Sequence, residues 1–223
     1  TGAHDDLAPE IAAGTRGAAK AGVTTVIEMP HSNPPATTLD RYLSKKALMD
    51  DNAVVDFALW GGIDGDNLGE IAKMHEAGAA AMKGFMCSGR PDGAAGDERG
   101  LPMLNDDHLI EAMRVISDLG SVIGLHAENH FIIQGRQAAL KAAGKDGGRA
   151  HGASQPEIAE TEAIARAIYL AQQTGVHLHI VHLSSGVGAD LIAAAKASGK
   201  VTAETCTQYL VLDEDDLERI GAI

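Results

Sequence analysis

Hydrophobic and polar residues follow two periods along this chain, one typical of helices and one typical of buried strands. Short apolar runs rich in β-branched residues predict strands at 23–29, 54–60, 79–87, 121–126, 176–183 and 200–206. Apolar residues at helical spacing predict helices at 7–21, 39–50, 68–76, 105–119, 157–173, 187–198 and 213–220. Thr38 and Asn105 are the expected caps of the helices that follow them. Regular alternation of helix and strand predicts a parallel sheet with right-handed crossovers.

This alternation is the pattern of an α/β protein of the (β/α)8 TIM-barrel type, which needs about 250 residues. The chain has 223 residues and begins on a predicted helix. We therefore expect residues 1–223 to form the central part of a single barrel domain, with the first and last barrel strands outside the chain. A dinucleotide-binding fold is disfavoured, because Gly186-Val187-Gly188 lacks the third glycine of that fingerprint.

Two Gly-rich polar segments interrupt the alternation. The first, 88–102, is long for a connection inside a compact domain, which favours a functional loop. The second, 127–156, contains an Ala-rich helical piece at 137–143.

Composition and charge exclude several classes of function. The net charge of −13 argues against a nucleic-acid partner and against an anionic membrane surface, because both require a basic face. No apolar run approaches the length that spans a bilayer. The two cysteines, Cys87 and Cys206, do not suggest a disulfide framework, which makes a reducing cytoplasm the expected location.

One lysine stands in a strand that is otherwise apolar. Lys83 lies within Ala79–Cys87, and a strand of this kind is normally buried on both faces. A lysine there either extends to the rim, pairs with a carboxylate, or has a lowered pKa and a chemical role. Lys83 alone does not decide between these alternatives.

Two histidines stand at the ends of other predicted strands. The carboxyl ends of barrel strands open on one face, so Lys83, His126 and His182 are expected to converge there. His126 shares its strand face with Val122 and Gly124. A lone buried histidine is usually a hydrogen-bonded core residue, but two at strand ends favour a metal site.

Strand alternation makes a cluster of three histidines in the run 176–183 unlikely. It predicts that His182 shares a face with Leu178 and Ile180, and that His177 and His179 point to the opposite face. On this interpretation the side chain of His182 points to the barrel interior, together with the apolar side chains of Leu178 and Ile180.

Four segments together resemble the cyclic amidohydrolases, the group that holds allantoinase, dihydropyrimidinase (hydantoinase) and dihydroorotase. These segments are Met82–Gly89, Leu125–Asn129, Leu178–Ser185 and Glu204–Leu210. The similarity runs along nearly the whole chain, in the same order and at the same spacings. Each segment alone is a weak signal, whereas the four together are specific.

The resemblance implies a TIM barrel with two divalent metal ions, usually zinc. Lys83 matches the lysine that CO2 converts to a metal-bridging carbamate, and His126 and His182 match two histidine ligands of the second metal. The family's His-x-His pair and catalytic Asp would lie before and after this chain. A hydroxide held by the metals would open a cyclic amide in a cytoplasmic hydrolase, often a homotetramer.

The resemblance is closest to allantoinase, which opens allantoin to allantoate in purine catabolism. The segments Val55–Gly62 and Ala171–Ser185 favour this substrate, as do Cys87 and Ser88, which are candidate substrate contacts or simply a strand terminus of small residues. Gln208 favours a hydantoinase.

Two alternatives stay open. The segment Met29–Pro35 is similar to that of dihydroorotases, although they carry Asn where His31 stands. A non-catalytic scaffold relative is a further alternative, disfavoured because Lys83, His126 and His182 are all present.

Overall fold

Six parallel strands form one sheet in which spatial order equals chain order. The computed structural model describes residues 7–89, 100–197, 199–213, 215–216 and 219. The strands are β1 (Thr25–Glu28), β2 (Asp56–Gly62), β3 (Ala81–Phe85), β4 (Val122–His126), β5 (His177–Ile180) and β6 (Val201–Ala203). Five of these strands lie within runs that the sequence predicts to be strands, and β2 extends two residues beyond its predicted end at Trp60.

Helices connect the strands. They are α1 (Ala8–Lys20), α2 (Leu39–Asn52), α3 (Leu68–Glu76), α4 (Asp106–Asp118), α5 (His130–Ala142), α6 (Gly148–Ser154), α7 (Glu157–Thr174) and α8 (Gly186–Lys196), followed by a 3-10 turn (Thr207–Leu210). The two predicted caps are confirmed, because Thr38 and Asn105 accept hydrogen bonds from the backbone amides of Arg41 and His108. No helix within the described residues is long and apolar enough to cross a bilayer.

The main hydrophobic core lies between the sheet and the helices. Alternate residues of β3, β4 and β5 point into it, and all are at most 1% exposed: Met82, Ile123, Leu125, Leu178 and Ile180. Burying each such side chain stabilises the fold by about 1.5–3 kcal/mol. Parallel strands in chain order with helices packed over one face make an incomplete (β/α)8 barrel, as the sequence predicts.

A second, smaller apolar cluster lies on the opposite face of the sheet, the face that is the interior of a barrel. It contains Trp60, Ala81 and Val181. The Trp60 ring occupies the space beside Gly124, where a Cβ would lie only 1.9 Å from Cζ3 of the indole. Glycine at this position is therefore a packing requirement of the barrel interior.

Two predicted segments differ from the structure, and one helix was not predicted. The helical piece at 137–143 belongs to the end of the longer α5, and α6 was not predicted. The strand predicted at 200–206 is shorter, and residues 207–210 beyond it form a 3-10 turn. The loop at 88–102 and the helix at 213–220 fall largely outside the described residues.

Candidate functional site

Lys83 lies in the middle of the sheet, on its interior face. In the strand register its lateral neighbours are Gly62 on β2 and Gly124 on β4, and His179 on β5 is next in the same row. The side chain is 1% exposed, so Lys83 does not extend to the rim. Nζ of Lys83 lies 5.1 Å from the centroid of the Phe85 ring.

Burial changes the ionisation of this amine. Loss of hydration lowers the pKa of Lys83 from 10.5 to about 7, although the charges of Glu204 and Cys87 oppose the shift. A substantial fraction of the amine is then neutral near pH 7, and a neutral amine is a nucleophile. A chemical role for Lys83, one of the alternatives that the sequence left open, requires this neutral state.

His126 and His182 meet at the carboxyl ends of their strands. Nδ1 of His126 lies 2.8 Å from Nε2 of His182, and Nε2 of His126 lies 2.5 Å from Oε2 of Glu128. Burial opposes the charge on Glu128, but the His126 hydrogen bond and nearby histidine charges outweigh it and lower the pKa of this carboxyl. An ionised carboxylate only accepts, so Nε2 of His126 donates and the Nδ1 lone pair faces His182.

The two facing nitrogens fit a metal ion. Two nitrogens bound to one tetrahedral Zn²⁺ at about 2.0–2.1 Å are about 3.3 Å apart, so binding would require the two rings to separate by about 0.5 Å. Burial, followed by the charges of His126 and Lys83, lowers the pKa of His182 to about 4, so its imidazole is neutral as a ligand must be. Cys87, His126 and Glu128 also bring potential ligand atoms within 4.8 Å of one another.

The prediction that His182 shares a strand face with Leu178 and Ile180 is wrong. Leu178 and Ile180 face the helices, not the interior, and strict alternation would send His182 with them. β5 ends at Ile180, and His182 has a φ of +42°, in the left-handed region that non-glycine residues rarely adopt. This turn redirects the imidazole towards His126.

Contacts from α7 hold the segment that carries this strained backbone. Glu160 accepts hydrogen bonds from both the amide and the hydroxyl of Ser184, each 2.8 Å long. The hydroxyl of Ser185 donates to Glu157 over 2.7 Å and also caps α8. The two serines follow His182 by two and three residues, so these bonds anchor the segment that leaves the turn.

A third histidine belongs to the same region and was not predicted. His31, after β1, packs edge-on against Phe85 at a centroid distance of 5.0 Å. Phe85 in turn stacks on His126 at 4.8 Å. Burial, then the charge of Lys83, lowers the pKa of His31 to about 4. Its position just after a predicted strand was the signal that could have identified it.

Two cavities open beside the histidine pair. One, of about 300 Å³, is lined by Cys87, Ser88 and the start of α5 as well as by His126 and Glu128. The other, of about 200 Å³, shares His126 and Glu128 and extends to His182. Both candidate substrate contacts, Cys87 and Ser88, therefore line the larger cavity. Asn129, which follows Glu128, caps α5.

We expect the Cys87 thiol to resist alkylation in the folded protein. Burial, then the charge of Glu128, raises its pKa from 9.0 to about 12, which lowers the thiolate fraction at pH 8 by about a thousandfold. Mass spectrometry after iodoacetamide treatment measures the modification, and urea-unfolded protein is the control. Equal labelling rates in the folded and unfolded protein would contradict this expectation.

Comparison with known proteins gives a family match over most of the chain. The sequence profile of the dihydro-orotase-like family matches residues 5–187. An L-hydantoinase of Paenarthrobacter aurescens is 44% identical over 92% of this chain and 43% of the enzyme. An allantoinase of Rubrobacter xylanophilus is 41% identical over 95% of this chain and 45% of the enzyme.

The fold of this chain matches that of a solved hydantoinase structure. The solved structure of an L-hydantoinase (dihydropyrimidinase) from Arthrobacter aurescens superposes with a TM-score of 0.90 and 41% identity. The match covers 98% of this chain and 48% of that one, so the chain spans about half the length of the relatives it matches. On the profile match, the sequence identities and the shared barrel, the chain belongs to the dihydro-orotase-like family.

Proposed function

We propose that the full-length protein hydrolyses the ring amide of a hydantoin, with allantoin as the first candidate and 5-substituted hydantoins as close alternatives. The names of the relatives, allantoinase and L-hydantoinase, support a hydantoin ring as the common substrate unit. The proposed site contains two divalent metal ions, with zinc as the first candidate, and this chain contributes Lys83, His126 and His182 to it.

The observation that carries this proposal is a fully buried lysine beside two facing imidazole nitrogens. A buried neutral amine reacts with CO2. The Nζ lone pair forms a bond to carbon, one C=O electron pair moves to oxygen, and a proton leaves nitrogen. The product is an anionic carbamate that offers two oxygen ligands, which a cationic Lys83 cannot.

The metal ions, when bound, lower the pKa of water and polarise a carbonyl oxygen. The residues of this chain position that chemistry. Glu128 fixes the His126 tautomer, so Nδ1 presents its lone pair. His182 presents Nε2 beside it. We propose that Cys87 and Ser88 contact the substrate in the larger cavity.

The support of the turn at His182 is testable. Glu160→Ala removes both bonds to Ser184, and we expect the metal affinity of the full-length protein to fall by about 10–100-fold, because partners that orient a ligand have effects of this size. Competition with a chelator measures the affinity. Glu111→Ala is the control, since Glu111 pairs with Arg114 on the surface of α4. An unchanged affinity in the Glu160 variant would show that the bonds of Glu160 to Ser184 do not support the turn.

Assays of the full-length, metal-replete protein test the function directly. Allantoin, 5-substituted hydantoins, dihydrouracil and dihydroorotate are compared side by side, and the highest kcat/KM is expected for a hydantoin. Preferred hydrolysis of dihydrouracil or dihydroorotate would replace the proposed substrate class. A protein that binds no metal and opens none of the four rings would instead be a non-catalytic scaffold.

We also propose a homotetramer located in the cytoplasm. The family resemblance supports the oligomer, and the free thiols of Cys87 and Cys206 support a reducing compartment. Light scattering of the purified full-length protein tests the tetramer.

A further inference from the structure

Three glutamine side chains line the outer part of the larger cavity. Gln134 and Gln137 project from α5, and Gln155 follows α6. Gln155 also lines the second cavity, so it stands between the two. None of the three carboxamide groups has a hydrogen-bond partner elsewhere in the described parts of the chain. Each therefore keeps its donors and its acceptor available for a bound molecule.

The remaining wall of this cavity limits the charge of the occupant. Glu128 contributes a carboxyl group, and no lysine or arginine is among the described residues that line either cavity. These residues therefore offer an anionic substituent no cation with which to pair. This lining favours a neutral substituent over the carboxylate of a dihydroorotate-type substrate.

The same wall disfavours a purely apolar substituent. Phe85 and Ile133 offer apolar surface, but filling the cavity with a hydrocarbon would cover the glutamine amides without replacing their hydrogen bonds to water. A ureido group carries both N–H donors and a carbonyl acceptor, so it matches carboxamides that also carry both. The cavity volume of about 300 Å³ suits a small molecule of this kind.

We propose that Gln137 and Gln155, with Gln134 at the rim, form a subsite that binds a neutral, hydrogen-bonding substituent of the cyclic amide, such as a ureido or carboxamide group. This inference rests on the proposed hydantoin-ring hydrolysis and specifies its substrate class. The subsite begins at His126, which the cavity shares with the candidate metal ligands. A ring bound at His126 and His182 would extend its substituent towards the glutamines.

The test compares two hydantoins whose substituents have the same number of non-hydrogen atoms, 5-ureidohydantoin (allantoin) and 5-isobutylhydantoin. The full-length, metal-replete protein is assayed as wild type, as Gln137→Leu, as Gln155→Leu and as the double variant. Leucine keeps the approximate size of glutamine and removes its hydrogen bonds. Gln173→Leu is the matched control, because Gln173 is exposed in the last turn of α7 and lines neither cavity.

In the double variant we expect the ratio of kcat/KM for the ureido substrate to that for the isobutyl substrate to fall by at least about tenfold, mainly through KM. Gln173→Leu should keep the wild-type ratio. A double variant that keeps this ratio, or a wild type that prefers the isobutyl substrate, overturns the subsite and leaves the proposed function standing. A wild type that opens neither ring overturns the proposed function, and the subsite with it.

Discussion

Lys83→Met in the full-length protein should reduce hydantoin hydrolysis by more than about a hundredfold, because loss of a ligand exceeds the loss of a residue that only orients one. Methionine has similar length but cannot form a carbamate. In metal-free protein the same change should leave the free energy of unfolding equal or higher, since it removes a polar amine that is 1% exposed. Activity and stability are thus expected to change independently.

Three measurements separate this result from simple misfolding. Elemental analysis should show metal loss, and denaturant titration of the metal-free wild type and variant should show retained stability. Labelled bicarbonate should give a carbamate signal in wild type only. In Lys83→Ala, which leaves space at the site, a short carboxylic acid with added metal should partly restore activity. Lys46→Met is the matched control, because Lys46 pairs with Asp50 on the surface of α2. Wild-type metal content and rate in Lys83→Met would refute the bridging role.

Gly124→Ala is expected to destabilise the full-length protein by about 1–3 kcal/mol or more, as overpacking of a well-filled interior does. The added methyl group would lie 1.9 Å from the Trp60 ring, and the rigid indole cannot move aside without shifting the strands. Because Gly124 neighbours both Lys83 and His179 in the register, metal binding should weaken too. Chemical denaturation measures the stability.

A second substitution tests whether contact with the Trp60 ring causes this loss of stability. Trp60→Leu creates space beside position 124, so Gly124→Ala should cost less in that background than in wild type. Gly135→Ala is the matched control, because Gly135 is inside α5 with nothing within 4 Å of its Cβ position. That change should stabilise the protein by about 0.5–1 kcal/mol. Equal costs of Gly124→Ala in both backgrounds would rule out the ring contact as the cause.

The strands and most helices were predictable because local patterns determine them. A strand buried on both faces must be apolar throughout, as the run around Lys83 is, and caps such as Thr38 and Asn105 mark helix starts directly. The start of α5 was missed because His130, Phe131 and Gly135 obscure the helical pattern. Its signal is Asn129, which accepts hydrogen bonds from the amides of Phe131 and Ile132.

The roles of Lys83, His126 and His182 as metal ligands stay predictions, and the geometry that brings the two histidines together was not predicted. Lys83, His126 and His182 were identified from strand ends, but the orientation of His182 depends on a left-handed backbone that alternation does not anticipate. That backbone is held by Glu157 and Glu160, which are distant in sequence. Such contacts arise only from tertiary packing, so local pattern could not identify them.

The order of the strands has a consequence for protein synthesis. Each strand pairs with the one that leaves the ribosome immediately before it, so the sheet can grow at one edge as the nascent chain lengthens. Lys83 emerges first, His126 next and His182 last. The two facing nitrogens therefore come together only when β5 and the turn after it have been made. A nascent chain cannot assemble this pair around a metal ion before most of the described sheet exists.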